Sequence, residues 1–204
     1  MSNEITPAPA ENSALAMPTK KNIPGMGQFD AEDLQIPYIR LIQPTSKTEN
    51  GNPGEFINSS TNQVMKTVDI VFICFGKSMV TFKDPKTGAE KKPQRQYKLL
   101  GIDQVTKFPA IFAVSSISSI IEVKKLLNAF FQEGRPLWSK VIRMTSQKMN
   151  GDYGVYYKVN FELVEDTPEE AQKEYAAFYE SNAENILGGE AEGTSAVEVE
   201  DVEV

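Results

Sequence analysis

The strongest strand signal in the chain is the stretch Val68-Asp69-Ile70-Val71-Phe72-Ile73-Cys74-Phe75-Gly76-Lys77-Ser78-Met79-Val80-Thr81-Phe82. It is dominated by β-branched and aromatic residues, which favour extended backbone. It is also longer than an ordinary strand, so we expect it to bend or to split near Gly76. A chain organised around this segment is predicted to be mainly β.

Further strands are predicted on both sides of this stretch, separated by turn-forming residues. Pro37 has no backbone N–H to donate, which places the first of these strands at a sheet edge. The turn Gly51-Asn52-Pro53-Gly54 precedes a small hairpin, and Asp84-Pro85-Lys86-Thr87-Gly88 follows the long strand. The predicted strands cover residues 36–42, 55–58, 63–66, 95–100 and 109–114.

Two helices and a second hairpin complete the pattern. The first helix is predicted to begin at Ser118 or Ser119 and to end at Gly134 and Pro136. A hairpin follows, with strands at 137–148 and 153–163 around Asn150-Gly151-Asp152. The Thr167-Pro168 pair predicts the start of a C-terminal helix that ends near Gly188. The apolar positions of the first helix recur at helical spacing, at Ile120, Val123, Leu127, Phe130 and Phe131.

The resulting order is three strands, a helix and two strands, with additions before and after. That is the connectivity of an OB-fold, a small β-barrel that often binds oligonucleotides. We therefore predict a mainly β, OB-fold-like barrel with one helix between strands three and four and a C-terminal helix. The predicted divisions are a flexible N-terminal arm (1–30), an OB-fold-like nucleic-acid-binding domain (31–166), the C-terminal helix (167–188) and a disordered acidic tail (189–204).

The composition argues against catalysis by the commonest side chains. The sequence contains no histidine and a single cysteine, Cys74. Histidine is the usual general base and a frequent metal ligand, so His-dependent triads, Cys/His pairs and zinc sites are excluded. No carboxylate pair suggests another mechanism. We expect neither enzymatic activity, nor a cofactor, nor a metal site, and no membrane-spanning segment.

The charge of the chain is divided sharply between its two ends. Residues 162–204 carry fourteen acidic side chains against one lysine, whereas residues 1–161 carry twenty basic and fourteen acidic ones. The net charge of −7 is thus the sum of a basic body and a strongly acidic end. This asymmetry favours a polyanion-binding body with an acidic tail that can occupy the same groove.

Basic residues are concentrated between Lys77 and Lys98, in the loop between the first two barrel strands. A lysine-rich loop is often no more than a solvated surface, but here the acidic tail favours a role in binding phosphates. Exposed aromatic rings beside such cations could stack on unpaired bases. The predicted nucleic-acid-binding residues are Tyr38, Arg40, Lys77, Lys83, Lys91, Lys92, Arg95, Tyr97, Trp138, Lys140, Arg143, Tyr153, Tyr156 and Lys158.

Tyr156 and Lys158 alternate with the apolar side chains of the last strand. We therefore expect both to point away from the core, as a base contact and a phosphate contact require. No helix-turn-helix, zinc finger or Walker motif is present, so binding is predicted to be sequence-tolerant. Single-stranded RNA remains an alternative to DNA, because both carry phosphates and stacking bases.

Several short motifs resemble those of bacteriophage single-stranded DNA-binding proteins. They are Ile36-Pro37-Tyr38-Ile39-Arg40-Leu41-Ile42-Gln43-Pro44, Gly54-Glu55-Phe56-Ile57-Asn58, Phe112-Ala113-Val114-Ser115-Ser116 and Tyr156-Tyr157-Lys158-Val159. The resemblance covers about residues 34–165 and the style of the tail. It implies an OB-fold, coating of single strands in replication or recombination in the cytoplasm of an infected bacterium, and a tail that recruits partner enzymes.

One feature departs from that family. Many such tails end in a bulky aromatic residue, whereas this chain ends Val-Glu-Val. Recruitment of replication or recombination proteins through an aromatic anchor is therefore in doubt. The alternative to single-strand binding is a viral structural or assembly protein that uses the β-domain and the acidic helix for protein contacts. Either function is compatible with a homo-oligomer.

Overall fold

The computed structural model describes residues 21–23, 27–29, 36–46, 50–82, 88–151 and 154–188, the side chains of 21–23, 27–29 and 181–188 excepted. Its strands are β1 (Lys21–Ile23), β2 (Gly27–Phe29), β3 (Tyr38–Leu41), β4 (Phe56–Asn58), β5 (Val64–Met65), β6 (Val68–Val80), β7 (Gln94–Asp103), β8 (Pro109–Val114), β9 (Lys140–Gly151) and β10 (Gly154–Asp166). Its helices are α1 (Ile117–Glu133), α2 (Glu169–Gly188) and a 3-10 turn at Leu137–Ser139.

One curled sheet carries the fold, in the strand order β10-β9-β6-β7-β8-β3-β4-β5. Strands β6, β7 and β8 form an antiparallel meander, α1 follows, and the β9–β10 hairpin returns to pair with β6. This is the connectivity expected of an OB-fold, so the prediction of a mainly β, OB-fold-like barrel with a helix between strands three and four is confirmed. Strands β1 and β2 pair only with each other within the described residues.

Strand β6 contributes to two hydrophobic cores, one on each face of the sheet. Val68, Ile70 and Phe72 point into the barrel, where they meet α1 and the inner faces of the other strands. Val71 and Ile73 point outward into a second core, which α2 covers. The α1 side chains in the inner core are Val123, Leu126 and Phe130, and the α2 side chains in the outer core are Tyr175 and Phe178.

The free edge of β10 is closed by side chains rather than by another strand. The Gln43 amide donates from Nε2 to the Tyr157 carbonyl (2.8 Å), and the Tyr157 N–H donates to Gln43 Oε1 (2.9 Å). Two residues along, the Val159 N–H points at the Ser119 hydroxyl of α1 (3.5 Å). The Gln43 side chain thus bonds to Tyr157 as the peptide group of a neighbouring strand would, and it satisfies edge groups that would otherwise be unpaired.

A glycine turn packs against the same seam. The carbonyl of Gly54 accepts a hydrogen bond from the Ser146 hydroxyl, and the Tyr157 ring lies over the glycine. A Cβ at Gly54 would lie 2.4 Å from that ring, and the backbone has a φ of +94°. Only glycine combines this close approach with a positive φ, which explains the Gly51-Asn52-Pro53-Gly54 turn.

Two sequence predictions about individual elements are wrong. Strand β3 lies between β8 and β4 rather than at an edge. Pro37 is tolerated because it precedes the strand, and its carbonyl accepts the Ile111 N–H at 2.9 Å. Helix α1 begins at Ile117, before Ser118 and Ser119, and Ser119 is buried.

Phe131 also departs from its predicted place in the core. Its side chain is 86% exposed, whereas the preceding Phe130 is buried. Adjacent helical residues point about 100° apart, so only one of the two rings can face the sheet. The position that completes the buried stripe is Leu126.

The predicted N-terminal arm and acidic tail lie largely outside the residues that the structure describes. Most of the predicted N-terminal arm and all of the predicted acidic tail, residues 189–204, lie outside the described residues. The flexibility of the arm and the disorder of the tail stay predictions. Neither helix of the described region is both long and apolar enough to cross a membrane.

The Gln43 bridge predicts a measurable stability effect. Replacing Gln43 by Ala should lower the free energy of unfolding by about 1–2 kcal/mol, because two backbone groups of β10 lose their partner. Urea denaturation gives the difference. The control is Gln63→Ala, an exposed glutamine beside β5. Equal stability of the Gln43 and Gln63 variants would contradict the bridging role.

Candidate nucleic-acid interface

A bulge in β6 decides which of its side chains face the inside. Phe72 pairs with Gly101 and Cys74 pairs with Leu100, so Ile73 is an extra residue in the strand. Such an insertion reverses the alternation of side chains beyond it. Before the bulge, even-numbered residues point inward. After it, Phe75 and the odd-numbered residues that follow do so.

Beyond the barrel, β6 and β7 continue as a two-stranded ribbon. Strand β8 ends at Val114, which pairs with Tyr97. The described residues 77–80 of β6 and 94–96 of β7 are therefore paired with each other and with no further strand. Lys77 lies opposite Tyr97 and Met79 lies opposite Arg95, so these four side chains share the inner face of the ribbon.

The inner face of the ribbon combines cations with apolar surface. Lys77 Nζ lies 5.4 Å from the centroid of the Phe75 ring and 5.7 Å from that of Tyr97, within the range of a cation–π contact. Met79 is 63% exposed, and Arg95 is exposed beside it. Lys77, Ser78, Met79 and Arg95 line a shallow depression of about 340 Å³. We call Lys77, Met79 and Arg95, with the Phe75 ring at their base, the ribbon patch.

Of the predicted binding residues, Lys77 and Arg95 belong to the ribbon patch and Lys92 is exposed just before β7. Lys91 is half-buried, and its N–H donates to the Phe82 carbonyl at 2.8 Å. Lys83 and Tyr153 lie outside the described residues.

Tyr97 does not fit its predicted role in stacking. Its side chain is 2% exposed, because the ring packs in the inner core with its centroid 5.3 Å from that of Phe75. A ring buried in this way has no free face for a base. Its contribution is to support Lys77, which lies above it.

Three predicted phosphate contacts are already engaged with carboxylates. Arg143 donates to both oxygens of Asp69 (2.7 and 2.8 Å), and Lys140 lies 2.8 Å from Asp166. Lys158 lies 3.2 Å from Glu122 of α1. Hydrogen bonding to Asp69 raises the pKa of Arg143, and hydrogen bonding from Lys140 lowers the pKa of Asp166. These cations stabilise the fold, and we exclude them from the interface.

Lys158 is also less exposed than predicted. Lys158 is half-buried against α1 and does not point fully outward as predicted. Tyr156 is also only partly exposed. Tyr156 itself leans on Gly151, where a Cβ would lie 3.2 Å from its ring. Tyr156 is therefore a half-buried ring on the β9–β10 hairpin, without a free lysine beside it.

The other predicted residues lie on the outer face. The Trp138 ring centroid is 5.4 Å from that of Tyr179 in α2, and both Trp138 and Tyr38 pack against the outer core. Arg40 is exposed on β3. The structure thus brings Lys77 and Arg95 together in one patch, and places Tyr38, Arg40, Trp138 and Tyr156 elsewhere.

The face on which OB-folds usually bind oligonucleotides is buried in this structure. That face is formed by the second and third barrel strands, here β7 and β8. Its side chains Leu100, Ile102 and Ile111 are buried with Tyr175 and Phe178 of α2. The outer face of these strands is therefore part of the outer core, and the exposed cations of the ribbon patch lie beyond the end of β8.

The sequence-based prediction left Met79 unassigned, whereas its assignment of Phe75 to the core is confirmed by the packing of that ring against the inner core. The bulge is the cause, since strict alternation from Val68 puts the wrong residues on the inner face. A usable signal was present in Val71-Phe72-Ile73-Cys74-Phe75, where consecutive apolar residues break the alternation. In the described ranges, no cluster of three or more carboxylate or cysteine side chains could hold a metal ion.

A comparison with protein families shows a likeness over part of the chain. The chain is similar to the Pam3 phage gp34-like protein over residues 8–96. This segment is less than half of the chain and includes the first residues of β7. No curated protein and no solved structure matches. The match supports a phage origin, as the earlier resemblance implied, while binding to DNA stays a prediction.

The Glu122–Lys158 ion pair predicts a pH dependence of stability. Burial raises the pKa of Glu122, but hydrogen bonds from Lys125 and Lys158 outweigh it and lower the pKa below its usual 4.5. A lowered pKa contributes stability above pH 4.5 that is lost as the pH falls through the folded value. Glu122→Gln should therefore be less stable than wild type at pH 7, and the difference should narrow in acid.

Urea denaturation of both proteins at neutral pH and at about pH 3 measures this difference. The matched control is Glu133→Gln, which alters a half-exposed carboxylate on the same helix. A constant difference between wild type and Glu122→Gln at both pH values would exclude the ion pair as its source.

Proposed function

We propose that this phage protein binds single-stranded DNA without reading its sequence, during replication or recombination of the phage genome. The observation that carries the proposal is the ribbon patch. Two exposed cations, Lys77 and Arg95, flank an exposed methionine on a ribbon that extends from an OB-like barrel. In OB-folds the loop between the first two strands borders the binding groove, and the ribbon occupies that position.

The arrangement of the two cations suits a single strand. Lys77 and Arg95 are diagonal neighbours on adjacent strands, about 7–8 Å apart at the backbone. Each can contact a phosphate of one extended strand, while Phe75 and Met79 offer apolar contact to the bases. No group in the patch is arranged to read base edges in a duplex groove, which is why we propose sequence tolerance.

In this proposal the acidic tail competes with DNA for the cations of the ribbon patch. Residues 190–203 carry six carboxylates, which could pair with Lys77 and Arg95 when no DNA is bound. The same tail could recruit replication or recombination proteins once DNA displaces it. Such exchange would favour polyanions of high charge density over weaker ligands.

A role in viral assembly is the second candidate, and one observation favours it. The β7–β8 turn exposes Val105 and Phe108, with Phe108 66% exposed. Asp103 holds the turn in shape by accepting the N–H groups of Val105 and Thr106 at 2.7 and 3.0 Å. A rigid exposed apolar turn is typical of protein contacts.

The ribbon patch predicts a defined loss of affinity and of salt dependence. Replacing Lys77 and Arg95 by Gln should weaken binding to an oligo(dT) about tenfold or more at low salt, because two phosphate contacts are lost. The slope of log affinity against log salt should also become less steep by about 1.4. Fluorescence anisotropy over a range of salt concentrations measures both quantities.

The charge-matched control is Lys66→Gln with Lys173→Gln, two exposed lysines away from the ribbon. Equal losses in the two double variants would mean that net charge, not the patch, governs binding. Absence of wild-type binding at low salt would reject single-strand binding and leave the assembly role. Comparison of oligo(dT) with oligo(U) separates DNA from RNA binding.

Removal of the acidic tail is expected to raise the affinity for DNA. A chain that ends at Gly188 should bind the oligonucleotide about three- to tenfold more tightly at low salt, because the competing carboxylates are removed. The gain should shrink as salt screens the carboxylates. If the affinity is unchanged or falls, the tail is not a competitor for the patch.

A further inference from the structure

We infer that the exposed isoleucines at the start of α1 form a seat for the valines of the C-terminal tail of the same chain. We call this surface the isoleucine patch, and it consists of Ile117, Ile121 and Lys124. The inference deepens the proposed function and rests on it, since it explains how the tail is held beside the DNA-binding ribbon. Tail carboxylates alone would be a weak and salt-sensitive competitor.

The isoleucine patch is an apolar surface that its own helix cannot bury. Ile117 is 78% exposed and Ile121 is 46% exposed. With Lys124 they occupy positions i, i+4 and i+7, so they share one face of α1. That face points away from the inner core, which α1 meets through Val123 and Leu126. Two adjacent exposed isoleucines with a lysine beside them fit a ligand that is both apolar and acidic.

The isoleucine patch begins three residues along the chain from the strand that borders the base of the ribbon. Val114, the last residue of β8, pairs with Tyr97, and Lys77 lies over the Tyr97 ring. Ile117 follows Val114 by three residues, which limits their Cα separation to about 11 Å. The cross-strand steps from Val114 to Tyr97 and from Tyr97 to Lys77 add about 5 Å each, so an extended segment of about six residues can span from Ile117 to Lys77.

The C-terminal residues have the complementary chemistry. The chain ends Val197-Glu198-Val199-Glu200-Asp201-Val202-Glu203-Val204, four valines interleaved with four carboxylates. Sixteen residues separate Gly188, the end of α2, from Val204, so the segment can span about 50 Å. That reach exceeds the dimensions of a small barrel domain. The valines match Ile117 and Ile121, and the carboxylates match Lys124 on one side and the ribbon cations on the other.

Binding of the tail valines to the isoleucine patch makes the tail carboxylates stronger competitors of DNA for the ribbon cations. An anchored segment presents its carboxylates to Lys77 at the effective concentration of an intramolecular ligand, and apolar contact is not screened by salt. DNA that binds the ribbon displaces the carboxylates and frees the tail for other proteins.

Disulfide trapping tests the seat without DNA. The full-length variant Ile117→Cys with Val202→Cys should form an intramolecular disulfide under mild oxidation at least about tenfold faster than Val105→Cys with Val202→Cys. Val105 is the control because it is 77% exposed, in the β7–β8 turn at the other end of β7. Cys74 does not interfere, since burial raises its pKa to about 12.

Two outcomes of the disulfide-trapping experiment would contradict the inference. Equal rates for the two pairs would show that the tail has no preference for the isoleucine patch. Disulfides found only in covalent dimers would show that the seat is filled by the tail of a second copy. Both results are independent of whether the protein binds DNA.

Affinity measurements on full-length chains provide the second test. Ile117→Ser with Ile121→Ser should tighten oligo(dT) binding by the same three- to tenfold as removal of the tail. Changing Val197, Val199, Val202 and Val204 to Ser should do the same, and combining the two sets should add nothing. Val105→Ser should leave the affinity unchanged.

These measurements distinguish failure of the proposed DNA binding from failure of the proposed seat for the tail. If no variant and no wild-type chain binds the oligonucleotide, the proposed function fails, whatever the trapping shows. If tail removal tightens binding but the isoleucine and valine variants do not, the function stands and the seat is wrong.

Discussion

Strand β6 is buried by a hydrophobic core on each face of the sheet, and the rest of the structure depends on this double burial. Val68, Ile70 and Phe72 serve the barrel interior, whereas Val71 and Ile73 serve the outer core. A strand that is buried on both sides needs a helix on each, which is why α1 packs inside the barrel and α2 packs outside it.

The bulge at Ile73 connects this packing requirement to the candidate function. By adding one residue, it turns Cys74 to the outer core and directs Phe75, Lys77 and Met79 to the inner face of the ribbon. A strand without the bulge would present Gly76 and Ser78 there instead. The local geometry of a buried strand therefore determines which side chains the ribbon offers to a ligand.

Burial of the outer face bears on the proposed function. The surface of β7 and β8 that OB-folds usually offer to oligonucleotides is part of the outer core, so the proposal places DNA on the ribbon instead. At the same time the cations that could have widened the interface, Lys140, Arg143 and Lys158, are held by Asp166, Asp69 and Glu122. The exposed cations of the ribbon are Lys77 and Arg95, and others lie elsewhere on the described surface, among them Lys66, Lys124 and Lys173.

The sequence by itself determined the order of strands and helices from β3 onward, the OB-like connectivity and the division of charge, but not the β1–β2 hairpin. These follow from local periodicity, turn residues and composition, which act within a few residues of each other. Tertiary structure decided the rest. Whether Tyr97 is a stacking ring or a buried support, whether Lys158 is free or paired with Glu122, and whether β3 is an edge or an interior strand depend on residues far apart in the chain. The register shift at Ile73 is of the same kind, because it arises only when β6 pairs with β7 and both faces are buried.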